Sequence, residues 1–160
     1  MMDKTEFTAA VLDAEPTLYR VAKAMLGSEH DCADAAQQAI LRAWEQLGTL
    51  KKPRYFKTWL TRILINECSA MLRLRQRLAP YEPEKAAAIP APAPEDHSDL
   101  YAALLALDEK YRLPVVLYYL EGFKTREIAS MLGVPEGTVK TRLRAAREQL
   151  RKDLEGACFA

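Results

Sequence analysis

The chain has 160 residues, 49% of them hydrophobic and 28% charged, with a formal net charge of +1. That hydrophobic content excludes a disordered chain and suffices for one ordinary domain or two small helical ones. The neutral total conceals blocks, with four basic and eight acidic groups in residues 1–50, eight and one in 51–78, three and eight in 79–121, and eight and three in 122–152. Local potential, not the total, decides what an anion meets.

Acidic residues Asp3 and Glu6 at the N-terminus do not suit a targeting segment, and the longest apolar run, LPVVLYYL at 113–120, is too short to span a bilayer. A cytoplasmic protein without membrane insertion is expected. Cys32, Cys68 and Cys158 are odd in number and far apart, which suggests neither a disulfide framework nor a zinc site. His30 with Cys32 is a two-ligand fragment, whereas tetrahedral zinc needs four. No nucleophile and base pair or Gly-rich phosphate loop is visible, so no enzyme, metal or cofactor is expected.

Residues 5–27 have helical periodicity through Phe7, Val11, Leu12, Leu18, Val21, Met25 and Leu26, with Pro16 marking a break or a new start. A second helix is expected from Asp31 to Leu47. Ala36, Ala39, Ile40, Ala43, Trp44 and Leu47 are available to pack, and Asp34, Gln37, Gln38, Leu41 and Arg42 are distributed around it. Trp44 is read as core.

KKPRY at 51–55 is a basic loop, and FKTWLTRILINECSAMLRLRQR reads as a long helix with a stripe of Leu60, Ile63, Leu64, Met71 and Leu74. Glu67 falls inside that stripe, which calls for a buried pairing or a local break. Arg62, Asn66, Ser69 and Arg73 recur at i, i+4, i+7 and i+11, a polar ridge able to meet phosphates and base edges. Asn is a poor helix former, so Asn66 in the helix interior needs a reason. Lys51, Lys52 and Arg54 beside Tyr55 and Phe56 pair cations with aromatics, as single-stranded nucleic acid favours. Trp59 is expected in the core.

Residues 79–97 hold five of the nine prolines and read as a linker. At ~3.1 Å per residue in extended form they reach about 60 Å. Leu100, Leu104, Leu105 and Leu107 then suggest one helix, and Leu113, Val116, Leu117 and Leu120 another. Both back residues 122–152, two helices joined by a tight turn. Thr125 is the expected N-cap with Glu127 in the first turn, Ile128, Ala129 and Leu132 are apolar, and Gly133 follows the helix end. Beyond Pro135, Val139, Leu143, Ala146 and Leu150 form one stripe. Lys140, Thr141 and Arg144 point away from it, and Arg142 and Arg147 flank it. A helix, a Gly-containing turn and a second helix with a basic outer face is the geometry that enters a major groove.

Three pieces in register, DCADAAQQAILRAW, FKTWLTRILINECSAMLR and TREIASMLGVPEGTVKTRLRAAREQL, make the chain resemble the extracytoplasmic-function group of bacterial sigma factors over nearly its whole length. The resemblance implies an all-α protein of two small helical domains. Residues 1–78 would be like sigma region two, residues 98–160 like region four, and the Pro-rich linker would join them. It implies a factor that binds core RNA polymerase and directs promoter recognition, melting and transcription initiation, with an anti-sigma factor as a further partner.

Carried over by position, Asp34, Gln37, Gln38 and Leu41 match the helix that grips the polymerase. Lys52, Arg54, Tyr55, Arg62, Asn66 and Arg73 match the part that opens and reads the minus-ten element. Lys140, Thr141, Arg142, Arg144 and Arg147 match the recognition helix for the minus-thirty-five element, with Lys124 and Arg126 placed for phosphates. The sequence departs from the family pattern at Gln38, where Glu is common, at Ala70, where Asp is frequent, and at Ala145, where Arg is usual. Two alternatives stand beside this reading. The REIASMLGVPEGTVKTRL pattern also looks like the helix-turn-helix of LuxR-type regulators, though a sensory domain does not need the basic aromatic stretch at 51–78. A helical adaptor that binds protein alone would show no steep salt dependence toward DNA.

Overall fold

A computed structural model describes the backbone of residues 2–78 and 98–159, and every regular element among them is helical. The chain divides into two compact units, Met1–Ile89 and Pro90–Ala160. The linker expected at 79–97 lies outside the described residues.

In the first unit α1 (Lys4–Leu26), α2 (Glu29–Glu45) and α3 (Phe56–Leu78) pack against one another pairwise. Asp3 starts α1 through a capping box: its carboxylate accepts from the Glu6 N–H (2.8 Å) and the Glu6 carboxylate accepts from the Asp3 N–H (3.1 Å). The helix ends at Gly27, whose φ of +80° favours glycine. Ser28 then caps α2, its hydroxyl accepting from the Asp31 N–H at 3.3 Å. This start lies two residues before the expected one.

Pro16 neither breaks α1 nor starts a new helix. It lies on the exposed side of a continuous helix, where water can satisfy the carbonyl that loses its partner, while Val11, Ala14, Leu18 and Val21 keep the other side anchored. α2 buries only small side chains, Cys32, Ala35, Ala36, Ala39 and Ala43. Their size lets the helix approach its neighbours closely, and burial pushes the Cys32 thiol above its ordinary range. α3 buries Phe56, Leu60, Ile63, Leu64, Ile65 and Cys68.

Several large residues expected to pack do not. Leu12 is 62% exposed, Leu74 48% and Trp44 45%, because a three-helix unit covers only one stripe of each helix and these fall at its edge or beyond. Trp44 still meets Phe7 edge-on at 5.1 Å, and Phe7 meets Phe56 at 5.6 Å. Glu67 has a pairing: Arg42 of α2 holds it in an ion pair, and Arg75 holds Asp31 in another, so α2 and α3 are cross-linked twice.

The second unit contains α4 (Ser98–Ala106), α5 (Glu109–Val115), α6 (Thr125–Leu132) and α7 (Glu136–Phe159). Arg112 Nη1 donates to the Leu105 and Leu107 carbonyls at 3.0 and 3.3 Å, closing the end of α4. After the buried Pro114 the chain widens into a π turn over Val116–Leu120, consistent with a proline's missing donor. Leu104, Leu107, Leu113, Val116 and Leu117 are buried, but Leu100 and Leu120 are exposed at the ends of their segments. Leu120 falls at the close of the π turn, where the chain leaves the core.

Lys124, not Thr125, is the N-cap of α6. The Glu127 carboxylate accepts from the Lys124 N–H at 2.9 Å. Thr125 is instead the first helical residue, and its hydroxyl donates to the Glu136 carboxylate at 2.6 Å. This bond ties the starts of α6 and α7 together. Gly133 ends α6 at φ +68°, which allows the Val134 N–H to reach back to the Ala129 carbonyl at 3.1 Å. Ile128 and Met131 of α6 then lie against Val139, Leu143 and Ala146 of α7 in one core, with Ala129 and Leu132 half-buried.

Candidate nucleic-acid interface

Because α3 buries its apolar stripe, its opposite side stays at the surface. Arg62, Asn66 and Arg73 are exposed and Ser69 half-exposed, so the ridge expected from periodicity stands clear of the core. It continues toward the start of the helix. Trp59 lies one turn before Arg62 on that face, half-exposed and tilted against Phe56 at 5.8 Å. The placement corrects the core expectation for Trp59, whose face is that of the ridge and not that of Leu60 and Leu64.

Ahead of α3, Pro53–Tyr55 forms one 3-10 turn with Lys51, Lys52, Arg54 and Tyr55 all exposed. The Arg54 guanidinium lies 4.9 Å from the Tyr55 ring centroid. A cation is thus held over a face that could otherwise receive a base. The Arg42 ion pair neutralises Glu67, the one acidic residue between 51 and 78, while Asp31 of α2 takes up Arg75.

On α2, Asp34, Gln37, Gln38 and Leu41 are exposed together at i, i+3, i+4 and i+7. Leu41 is 52% exposed, and Trp44 extends the apolar part of this face by one turn. Sequence reasoning missed Trp44 here. The available signal was its spacing of three from Leu41, which puts the two on neighbouring positions of the surface.

In the second unit, Lys140, Thr141, Arg144 and Arg147 are exposed on α7, opposite the buried Val139, Leu143 and Ala146. Arg147 Nη1 donates to the Tyr119 hydroxyl at 3.0 Å. Arg142 is half-buried and turned toward α5. Lys124 and Arg126 are exposed at the start of α6. The Glu136 carboxyl is held below its ordinary range, first by the Thr125 hydroxyl and then by Lys140 at 3.8 Å. It therefore remains an anion that pins the helix starts.

A family model for sigma-70 region 2 matches residues 11–78, and one for sigma-70 region 4 matches residues 97–150. The chain is 31% identical to the ECF RNA polymerase sigma factor SigW of Bacillus subtilis, across 95% of this chain and 90% of that one. It belongs to the extracytoplasmic-function (ECF) sigma factors of the sigma-70 family. SigV of the same organism, an RNA polymerase sigma factor, is 30% identical over 96% of both chains. Among solved structures, the sigma factor RpoE of Bartonella quintana, crystallised with the anti-sigma factor NepR, superposes with a TM-score of 0.78 at 26% identity. The match covers 93% of this chain and 96% of that one. The α3 ridge of this ECF sigma factor falls within its region 2 match, and α6 with the cationic residues 140–147 of α7 within its region 4 match. Among the described residues no helix is long and apolar enough to cross a membrane, and no three His, Cys, Asp or Glu side chains gather as a metal site.

Proposed function

We propose that this sigma factor docks on core RNA polymerase through α2, opens promoter DNA with the α3 ridge and the turn before it, and reads the upstream element with α7. The carrying observation is that α3 and α7 each bury one apolar stripe and leave a cationic face at the surface, in a chain of sigma-factor sequence. Asp34, Gln37, Gln38 and Leu41, with Trp44 beside them, are the polymerase contacts. Lys52, Arg54, Tyr55, Arg62, Asn66 and Arg73 hold the melted minus-ten strand. Lys140, Thr141 and Arg144 face base edges, and Lys124, Arg126, Arg142 and Arg147 meet phosphates.

The chain works as a non-catalytic initiation factor in the cytoplasm. It breaks no covalent bond: duplex opening shifts by the difference between its affinities for the melted and closed states. Phosphate contacts set register, a few groove contacts read sequence, and aromatic and amide groups on α3 capture an unstacked base. Residues 1–78 are the docking and opening domain and residues 98–160 the upstream reader, joined by 79–97. An anti-sigma partner belongs to this reading, because a structural neighbour was crystallised with one. A LuxR-type regulator or a protein-binding adaptor is not favoured, since neither accounts for the region 2 match over residues 11–78.

Transcription in vitro from a promoter library, with core enzyme and purified protein, tests this. Transcripts starting at defined sites only when the protein is present are expected. Duplex binding by the protein alone, with no dependent transcript, would return the reading to a regulator.

A further inference from the structure

We propose that Lys110, Tyr111 and Arg142 form a phosphate-binding groove on one flank of α7 and hold one backbone strand of the duplex that α7 enters. This rests on the reading of α7 as the recognition helix. Sequence inspection gave α5 no part in binding, because Lys110 and Arg142 are far apart in the chain.

At about 100° per residue, Lys140, Arg144 and Thr141 span the outward arc of α7. Arg147 falls at one edge of that arc and Arg142 at the other. On the Arg142 side a groove of about 470 Å³ opens between α5 and α7. Lys110 and Tyr111 form one wall, and Gly137, Thr141, Arg142 and Ala145 lie on the other. No carboxylate lines it. The Lys110 ammonium lies 5.1 Å from the Tyr111 ring centroid, an attraction that keeps it near the groove. Neither Lys110 nor Arg142 has a carboxylate partner among the described residues, and the two α7 acids that flank Arg142 in sequence are engaged elsewhere, Glu136 by Thr125 and Lys140 and Glu148 by Arg151.

The ligand class follows from charge and position. Two cations facing a groove without an acid select an anion. The Thr141 hydroxyl donates to the Gly137 carbonyl at 2.9 Å, so donation to that anion falls to Lys110, Arg142 and the Tyr111 hydroxyl. An α-helix with its side chains is ~10–12 Å across, and the major groove is ~12 Å wide, so an inserted helix lies with each flank against a phosphate backbone. Arg147 serves one strand. Lys110 and Arg142 serve the other, which fixes the angle of α7 without carrying sequence information.

The test uses the full chain and two fluorescently labelled duplexes, one of random sequence for the phosphate contacts and one selected from a random pool for tight binding, on which Arg144→Ala is scored, with anisotropy read across a salt series. Lys110→Ala is expected to weaken binding about five-fold on every duplex and to flatten the salt slope by about one. Lys152→Ala, further along α7 and outside the groove, is expected to leave the slope unchanged. Gly137→Ala provides a variant that cannot be explained by misfolding: a Cβ there meets nothing within 4 Å, and alanine favours the helix. Its melting temperature should hold or rise while DNA binding falls. Unchanged binding by Lys110→Ala and Gly137→Ala, with Arg144→Ala weakened, would overturn the groove and leave the recognition helix standing. An equal slope loss in Lys152→Ala would overturn it too, as mere loss of charge. If Arg144→Ala also binds normally, both readings fail.

Discussion

Replacing Arg42 by Met isolates the cost of stranding Glu67. The Glu67 side chain is 16% exposed and the Arg42 side chain 52%, so the methionine keeps most of the arginine stem while the carboxylate loses its partner at a largely covered position. An unsatisfied buried polar group costs about 1–3 kcal/mol, and more when charged. Because the pair borders solvent, screening holds the expected loss to about 1.5 kcal/mol. With a urea m-value of about 1 kcal/mol/M for a unit of this size, the midpoint should fall by about 1.5 M. Both tryptophans of the chain, Trp44 and Trp59, belong to the first unit, so their fluorescence reports its unfolding alone. Arg42→Met combined with Glu67→Met should recover most of the loss, since a packed apolar pair removes the stranded charge. A midpoint drop below about 0.3 M, or a double variant no more stable than Arg42→Met, would refute the pairing as the reason Glu67 is tolerated in the α3 stripe.

Three further outcomes follow from named contacts. Asn66→Ala should impair promoter opening more than closed-complex binding, and Arg144→Ala the reverse; permanganate reactivity of melted thymines beside a gel-shift titration would expose an error in either assignment. Gly133→Ala should destabilise the second unit by about 1 kcal/mol, because φ of +68° suits glycine, with Gly133→Asn losing less; equal stability by calorimetry of all three proteins would contradict the cap. Thr125→Val should raise the Glu136 pKa toward its ordinary value in a carboxyl NMR titration. The sign is that of a depressed carboxyl, whose contribution is present above its unfolded pKa and lost as pH falls through the folded one. An unmoved titration would mean that Lys140 alone holds Glu136 down.

Periodicity made much of the structure legible before any coordinates. The α3 ridge and the Val139, Leu143 and Ala146 stripe both follow from 100° geometry, and the chemistry of Gly133 announced its turn. What periodicity lacks is the width of the covered stripe. Leu12, Trp44, Leu74, Leu100 and Leu120 are apolar and well spaced, yet a small unit has too few neighbours to cover them. Pro16 misled because its helix is anchored on both sides by packing that local propensity does not see. Thr125 has the side chain of a cap, but its hydroxyl found a partner eleven residues on, and the cap passed to the residue before it. The Arg42 ion pair and the groove beside α7 are tertiary pairings, invisible to any window of adjacent residues. Of the candidate site, the exposed cations were legible as a pattern, while the half-burial of Arg142 was not.

The most direct measurement is initiation itself, with core polymerase, purified protein and supercoiled templates carrying a promoter library, scored by mapped transcript starts. Defined starts should appear with the wild-type protein, and Asn66→Ala should reduce them while leaving upstream footprints in place. Core enzyme that yields the same transcripts with and without the protein would contradict the assignment of the two cationic helices to promoter opening and recognition.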